Sequence, residues 1–337
     1  MKRLLGIFLL LLVAALAVTG FALYTDYRTF LDRPLTLPEA GLDYTVPRGA
    51  SITGLARDLE QQGVLDRALY LQAHARLEQL ASRIQAGDYH IESGTTPRQL
   101  LRQWVEGRVI QHSLTVVEGW TFRQMLEAIR RHPQLEQTLS GLSGAQIMAR
   151  LGHPGEHPEG RFFPDTYLFP KGTTDLAFLE RAYKAMEQRL SQAWARRDPD
   201  LPLDSPYQAL ILASIIERET GVPEERPQIG GVFIRRLNRG MRLQTDPTVI
   251  YGLGEEFDGN LRRRDLRSDT PYNTYTRGGL PPTPIALPGA GALAAAVNPA
   301  PGTSLYFVAR GDGSHVFSDT LREHNRAVRE YQLRGNR

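Results

Sequence analysis

The sequence predicts an α+β protein: one N-terminal membrane-spanning helix, a small mixed module, then a larger mixed α+β domain. Three observations predict this. An apolar run extends from Leu4 to Leu23 behind Met1-Lys2-Arg3. Short stretches rich in β-branched and aromatic residues, at Tyr44–Val46, Ala86–Ile91 and Val109–Val117, are set among stretches whose apolar residues recur at helical spacing. Two long helical patterns, Asp175–Arg196 and Tyr207–Thr220, flank the turn-forming Asp198-Pro199-Asp200-Leu201-Pro202.

The first run gives the compartment. About 20 helical residues at ~1.5 Å each span ~30 Å, one bilayer core. A cleaved signal peptide is the other reading, with Ala15-Leu16-Ala17 as the small-residue site, but the apolar run continues past it. Lys2 and Arg3 precede the run, whereas Asp26, Arg28, Asp32 and Arg33 after it cancel, so the N-terminus is expected in the cytoplasm and the rest outside the plasma (inner) membrane. Residues 1–25 are thus tip and anchor. Residues 26–41, with Pro34 and Pro38, read as a linker.

Residues 42–110 form the small module. Tyr44-Thr45-Val46 leads through a turn to Ser51, an N-cap for a helix carrying Ile52, Leu55, Ala56 and Leu59. A second helix is expected over 68–80, a return strand over 86–91 and a further helix over 96–104. This strand-helix-helix-strand order resembles in outline the LysM carbohydrate-binding module, which implies glycan binding; plain scaffolding is the alternative. Residues 111–159 read as a linking subdomain, with the strand Val109–Val117 and an amphipathic helix from Thr121 through Ile129. His153 and His157 fall in a segment rich in Gly and Pro and read as solvated loop histidines, because no acidic or His partners stand at metal-ligand spacing. No metal is expected. The larger domain takes residues 160–337.

Composition narrows the chemistry. The 337 residues, 41% hydrophobic and 23% charged, suffice for a substantial core. A net charge of +3, with bases interspersed among acids, makes no basic stripe, so nucleic-acid binding is not implied. The absence of cysteine excludes disulfides, thiolate nucleophiles, zinc fingers and an acylated cysteine.

One carboxylate stands out. Along Tyr207–Thr220, Leu212, Ile215 and Ile216 define a stripe that Glu219 interrupts, while Glu217 points roughly 160° away, beside Leu210 and Ala213. Gly221 and Pro223 end the helix, so Glu219 sits at the negative end of its dipole. Apolar neighbours and dipole both favour the neutral acid, the form a general acid needs. The pattern equally allows Glu219 to pair with Arg218, Arg226 or Arg235, or to cap the helix end. Glu217 reads as structural, paired with an arginine.

The run Leu212-Ala213-Ser214-Ile215-Ile216-Glu217-Arg218-Glu219-Thr220, then Gly231–Leu237, then Met241–Tyr251, closely resembles the endolytic murein transglycosylases, the family often called YceG-like. Tyr272-Asn273-Thr274-Tyr275, Gly279-Leu280-Pro281-Pro282, Asn298-Pro299, Pro164-Asp165-Thr166-Tyr167, the final Leu305–Val308 strand and His324-Asn325 extend the resemblance over nearly the whole chain. It implies cleavage of the β-1,4 bond between N-acetylmuramic acid and N-acetylglucosamine inside peptidoglycan strands, without a cofactor, giving 1,6-anhydro ends. It also implies that Glu219, the second glutamate of Glu-x-Glu-Thr, is the acid/base. An anchored enzyme would trim or terminate new strands beside peptidoglycan synthases.

Gln244, Thr245, Asp246 and Thr248 offer polar groups to a sugar, and Asn273 with Tyr275 an amide and an aromatic face. Turn chemistry around Pro247 and Pro271 is the other reading of these residues. Two rival functions remain open: a non-catalytic glycan-binding scaffold, and a lysozyme-like hydrolase using Glu219 with Asp246 as second carboxylate.

Overall fold

Helix α1 (Lys2–Asp32) outruns the apolar segment that begins it. The computed structural model describes the backbone of residues 2–333 and the side chains of residues 6–332. The side chains of Lys2 and Arg3, which set the expected orientation, lie outside the described residues. The stretch Gly6–Asp32 is long and apolar enough to cross a membrane, with mean hydropathy 2.6. Its large apolar side chains from Ile7 to Tyr24 stand exposed. Beyond Tyr24 the helix docks. Phe30 and Leu31 are buried, the Tyr27 hydroxyl bonds His74 Nδ1 at 2.9 Å, and the Tyr70 hydroxyl donates to Asp26 at 2.8 Å. Residues 26–41 are therefore not a free linker: α1 continues to Asp32, and Leu35 joins the same core.

The chain divides into two compact units, Met1–His112 with Leu168–Gly172, and Ser113–Tyr167 with Thr173–Arg337. In the first, β1 (Leu42–Val46) is followed by α2 (Ile52–Gln61), α3 (Ala68–Leu77), β2 (Gly87–Ile91) and α4 (Pro97–Glu106). The two strands pair antiparallel, Leu42 opposite Ile91 and Val46 opposite Gly87. The helices bury Leu55, Leu59, Leu71, Leu100 and Trp104 together with Tyr89 and Ile91 of β2. Ser51 caps α2 as expected, accepting from Gly54 N, and α4 opens with a reciprocal Thr96/Gln99 cap and ends on Gly107 in the left-handed region.

In chain order there follow β3 (Gln111–Thr115), α5 (Phe122–Arg131), β4 (Leu135–Glu136), α6 (Gly144–Arg150), β5 (Thr166–Pro170), β6 (Thr173–Thr174) and α7 (Asp175–Ala195). Residues 111–159 were expected as a separate linking subdomain; from Ser113 onward they group with the larger unit. Their ties explain this: the Phe122 ring stacks on Phe162 at 5.1 Å, and Gly119 and Trp120 exchange backbone hydrogen bonds with Leu287. His153 is not merely solvated; it stacks on Tyr183 at 4.1 Å.

The larger unit is completed by α8 (Pro206–Glu219), α9 (Arg226–Asn238), α10 (Asp246–Leu253), α11 (Arg263–Arg267), α12 (Ala290–Val297), the antiparallel hairpin β7 (Tyr306–Ala309) and β8 (His315–Ser318), and α13 (Leu321–Val328). Helix α8 is the centre of its core, with Ala209 through Glu217 buried on every face. A helix apolar all round belongs inside. The expected single stripe is thus too narrow a description, since α7, α9, α10 and α12 all pack against α8. Gly230 lets α9 and α12 meet: a Cβ there would stand 2.6 Å from Ala295 O.

Candidate active site

Helix α8 ends on Glu219 because Thr220 turns extended, with φ −141° and ψ 138°. The Thr220 hydroxyl donates to Glu225 at 3.2 Å and accepts from Val222 N, so the chain leaves the helix in a fixed direction. Glu219 keeps a part-exposed edge on the floor of a cleft of about 500 Å³, although its carboxyl lies deep below the general protein surface. The three arginines expected as its alternative partners are engaged elsewhere. Arg218 donates to Gly119 O, Arg226 to Glu217 and Glu118, and Arg235 to Ser304 O and Ala300 O.

Glu217 behaves as expected of a structural residue. It is buried, pairs with Arg226 at 2.8 Å and accepts from Gly289 N at 2.9 Å. Because α8 is enclosed on all sides, the side facing away from the cleft also needs a charge partner for any carboxylate.

The Thr245 hydroxyl donates to Glu219 Oε1. Burial lifts the Glu219 carboxyl to about 7; the Asp246 charge pushes the same way, while the Thr245 bond and the Arg236 charge oppose. Thr245 is itself fixed: its N–H donates to Thr274 Oγ1 at 3.1 Å, and its carbonyl accepts from the Thr248 hydroxyl at 2.8 Å. Thr248 is fully buried and its hydroxyl is shared with Thr274, so it holds the Thr245 loop and is closed to a sugar. Asn273 is also fully buried. Its Nδ2 donates to the carbonyls of Asp265, Leu266 and Ser268, and its Oδ1 accepts from Tyr275 N. Both expected sugar contacts are corrected to scaffold residues, because their polar atoms are already used.

Gln244, Asp246 and Tyr275 do line the cleft. Gln244 is exposed and holds a left-handed backbone, φ 52°, uncommon for a residue with a side chain. Asp246, exposed at the start of α10, accepts from the Tyr275 hydroxyl at 2.5 Å. Burial, and then that bond, hold the Tyr275 phenol well above its ordinary range.

Arg236, Tyr306 and His324 also line this cleft and were not expected as site residues, although His324 and the strand holding Tyr306 were part of the family resemblance. The Arg236 guanidinium donates to Leu305 O at 2.7 Å and Leu243 O at 2.8 Å, and lies 5.0 Å over the Tyr306 ring. Tyr306 in turn stacks on His324, centroids 5.3 Å apart. The signal for Arg236 was present: with Ile229, Val232 and Phe233 it sits at i+7, i+4 and i+3, inside the buried stripe of α9.

The chain matches the model of the YceG-like family over residues 44–330. It belongs to that family. An endolytic murein transglycosylase of Bacillus subtilis is 32% identical over 309 residues, covering 86% of this YceG-like chain and 84% of the relative. An endolytic murein transglycosylase of Streptococcus pneumoniae is 25% identical over 370 residues, covering 96% of this chain and 65% of the relative. The crystal structure of a YceG-like protein from Listeria monocytogenes matches with a TM-score of 0.54 and 29% identity, over 86% of this chain and 99% of that one. Among the described residues of this YceG-like chain, no group of three or more His, Asp or Glu side chains is arranged to hold a metal ion. Its cleft chemistry is that of one near-neutral carboxylic acid beside a buried guanidinium.

Proposed function

We propose that the chain is an endolytic murein transglycosylase, cleaving the bond between N-acetylmuramic acid and N-acetylglucosamine within peptidoglycan strands to leave 1,6-anhydro ends. The observation that carries this reading is Glu219, a carboxyl raised to about 7 on a cleft floor, in a chain 32% identical to a relative of that name. At neutral pH such a group exists in both protonation states, as a residue that must give and then take one proton requires.

Protonated Glu219 donates to the glycosidic oxygen as the C1–O bond breaks. The resulting carboxylate then accepts the proton of the muramic C6 hydroxyl, whose oxygen attacks C1 and closes the anhydro ring. The nucleophile is tethered within the substrate, so no second carboxylate is needed to activate water. Thr245 holds Glu219 in register, the Arg236 charge steadies the carboxylate between the two steps, and Tyr275 with Gln244 and Asp246 meets the sugars. Helix α1 anchors the enzyme in the plasma membrane with the N-terminus cytoplasmic, the first unit grips glycan in the manner of a LysM module, and synthases stand nearby as partners.

The test is mass spectrometry of fragments released from purified peptidoglycan by the full-length protein in detergent, beside Glu219→Gln. Anhydro ends lost in the variant support the reading. Reducing ends would instead mean a hydrolase, and the absence of products a binding scaffold.

A further inference from the structure

The catalytic cleft has a neighbour across the same two helix ends. A second cleft of about 580 Å³ lies wholly within the larger unit. Consecutive residues divide between the two: Glu219 and Asp246 line the first, while Arg218 and Pro247 line the second. The C-terminus of α8 and the N-terminus of α10 are therefore a shared wall.

The second cleft is amphipathic. Ile250, Tyr251 and Tyr272 give it an apolar side, the two tyrosine rings meeting edge to face at 4.9 Å. Tyr251 is braced from below, its hydroxyl donating to the buried Glu159 at 3.1 Å. Arg218 and Arg123 give it a cationic rim. Arg218 spends its hydrogen bond on a neutral carbonyl, that of Gly119, so its charge remains available to a ligand anion. Arg123 pairs with exposed Glu255, a surface contact that a better-placed anion displaces at little cost.

We infer that this second cleft binds the peptide stem of the muramic residue being cut, with stem carboxylates on Arg218 and Arg123 and stem methyl groups against Ile250 and the tyrosines. The inference rests on the glycan-cutting reading above. The number and placing of charges decide between stem and sugar: a stripped muramic residue keeps a single lactyl carboxylate close to its ring, whereas a stem turns that group into an amide and sets more than one carboxylate farther out with methyl groups between them, the pattern that two separate guanidinium groups beside Ile250, Tyr251 and Tyr272 fit. Reach agrees, since the wall between the clefts is made of consecutive residues, Arg218 beside Glu219 and Asp246 beside Pro247, and four or five extended stem residues cover about 13–18 Å.

The experiment compares kcat/KM of the full-length protein in detergent on uncrosslinked strands bearing stems and on the same strands stripped by an amidase. The wild type should favour stem-bearing strands by about tenfold, one or two charge-assisted contacts' worth, mostly in KM. Arg218→Gln and Ile250→Trp should bring that ratio towards one, as should Arg123→Gln, whose exposed side chain does not threaten the fold. A wild-type ratio near one, or a ratio that all three variants leave high, overturns the inference while the cutting activity stands. Failure to release anhydro ends from either substrate would instead overturn the parent reading.

Discussion

Arg226 donates to Glu217 at 2.8 Å, while Glu219, two residues further along the same helix, has the Thr245 hydroxyl as its partner. One helix thus carries a charge-paired glutamate and a glutamate that remains free to exchange a proton. Opposite mutational signatures follow. Glu219→Gln should cost ~10²–10⁴-fold in the release of anhydro ends with the fold intact, whereas Glu217→Ala leaves Arg226 with Glu118 alone and the buried Gly289 N–H without its acceptor, and should cost about 1–3 kcal/mol of stability. Rates at low temperature beside denaturant unfolding separate them, and a Glu219→Gln protein that still cuts at the wild-type rate would remove Glu219 from the chemistry.

The Glu219 carboxyl at about 7 makes stability depend on pH in an unusual direction. Its folded value lies above the unfolded 4.5, so the native state holds more protons between those values and loses stability as pH rises through that window. Glu159, lifted by burial to about 7, adds with the same sign. Glu219→Gln should therefore melt higher than wild type at pH 8, on the order of 2–3 kcal/mol more stable, and gain little at pH 4.5. Equal gains at both pH values would show that Glu219 is not raised in the folded protein.

Thr245 favours the ionised form of Glu219, so Thr245→Val should raise the carboxyl further. The alkaline limb of the pH–rate profile, where the acid for the first step is lost, should move from near 7 to higher pH, with kcat at neutral pH lowered by disorder of the carboxylate. An unmoved limb would mean that another group sets it.

Asn273 was expected to meet sugar but spends every polar atom on the loop carrying Tyr275. Asn273→Ala should cost about 1–3 kcal/mol for the groups it strands, and should weaken activity only through Tyr275. Chemical denaturation measures this directly; a variant of unchanged stability with raised KM would restore Asn273 to the substrate.

The difference between Glu219 and Asn273 shows what a sequence carries. Helical periodicity separated the direction of Glu219 from that of Glu217 but left its role open between acid and ion pair, and the resemblance carried by the Glu-x-Glu-Thr run singled it out; Arg236 was legible by periodicity, at i+3 from Phe233. No such rule orients Thr248 or Asn273, whose flanking prolines mark turns without saying which side faces water. The strand and helix order of the first unit was readable from alternation and caps. The grouping of residues 113–159 with the larger unit was not, because it depends on contacts such as Phe122 on Phe162, between residues far apart in sequence.

The end of α1 supplies the last prediction. Tyr27, Phe30 and Leu31 stand at helical spacing, yet Pro34 and Pro38 disguise them as a linker, and both Phe30 and Leu31 prove buried in the core of the first unit. Asp32 adds an ion pair to Arg98 at 3.2 Å. A chain beginning at Thr25 keeps these contacts and loses only the exposed apolar part of the helix. A chain beginning at Arg33 leaves the first unit's core open and forfeits about 3–6 kcal/mol of apolar burial. Circular dichroism melts of the two truncated proteins should differ accordingly, the longer melting cooperatively and the shorter showing early loss of the first unit. Identical melts would mean that the last two turns of α1 dock without stabilising the unit, and that residues 26–41 act as the flexible connector their prolines suggest.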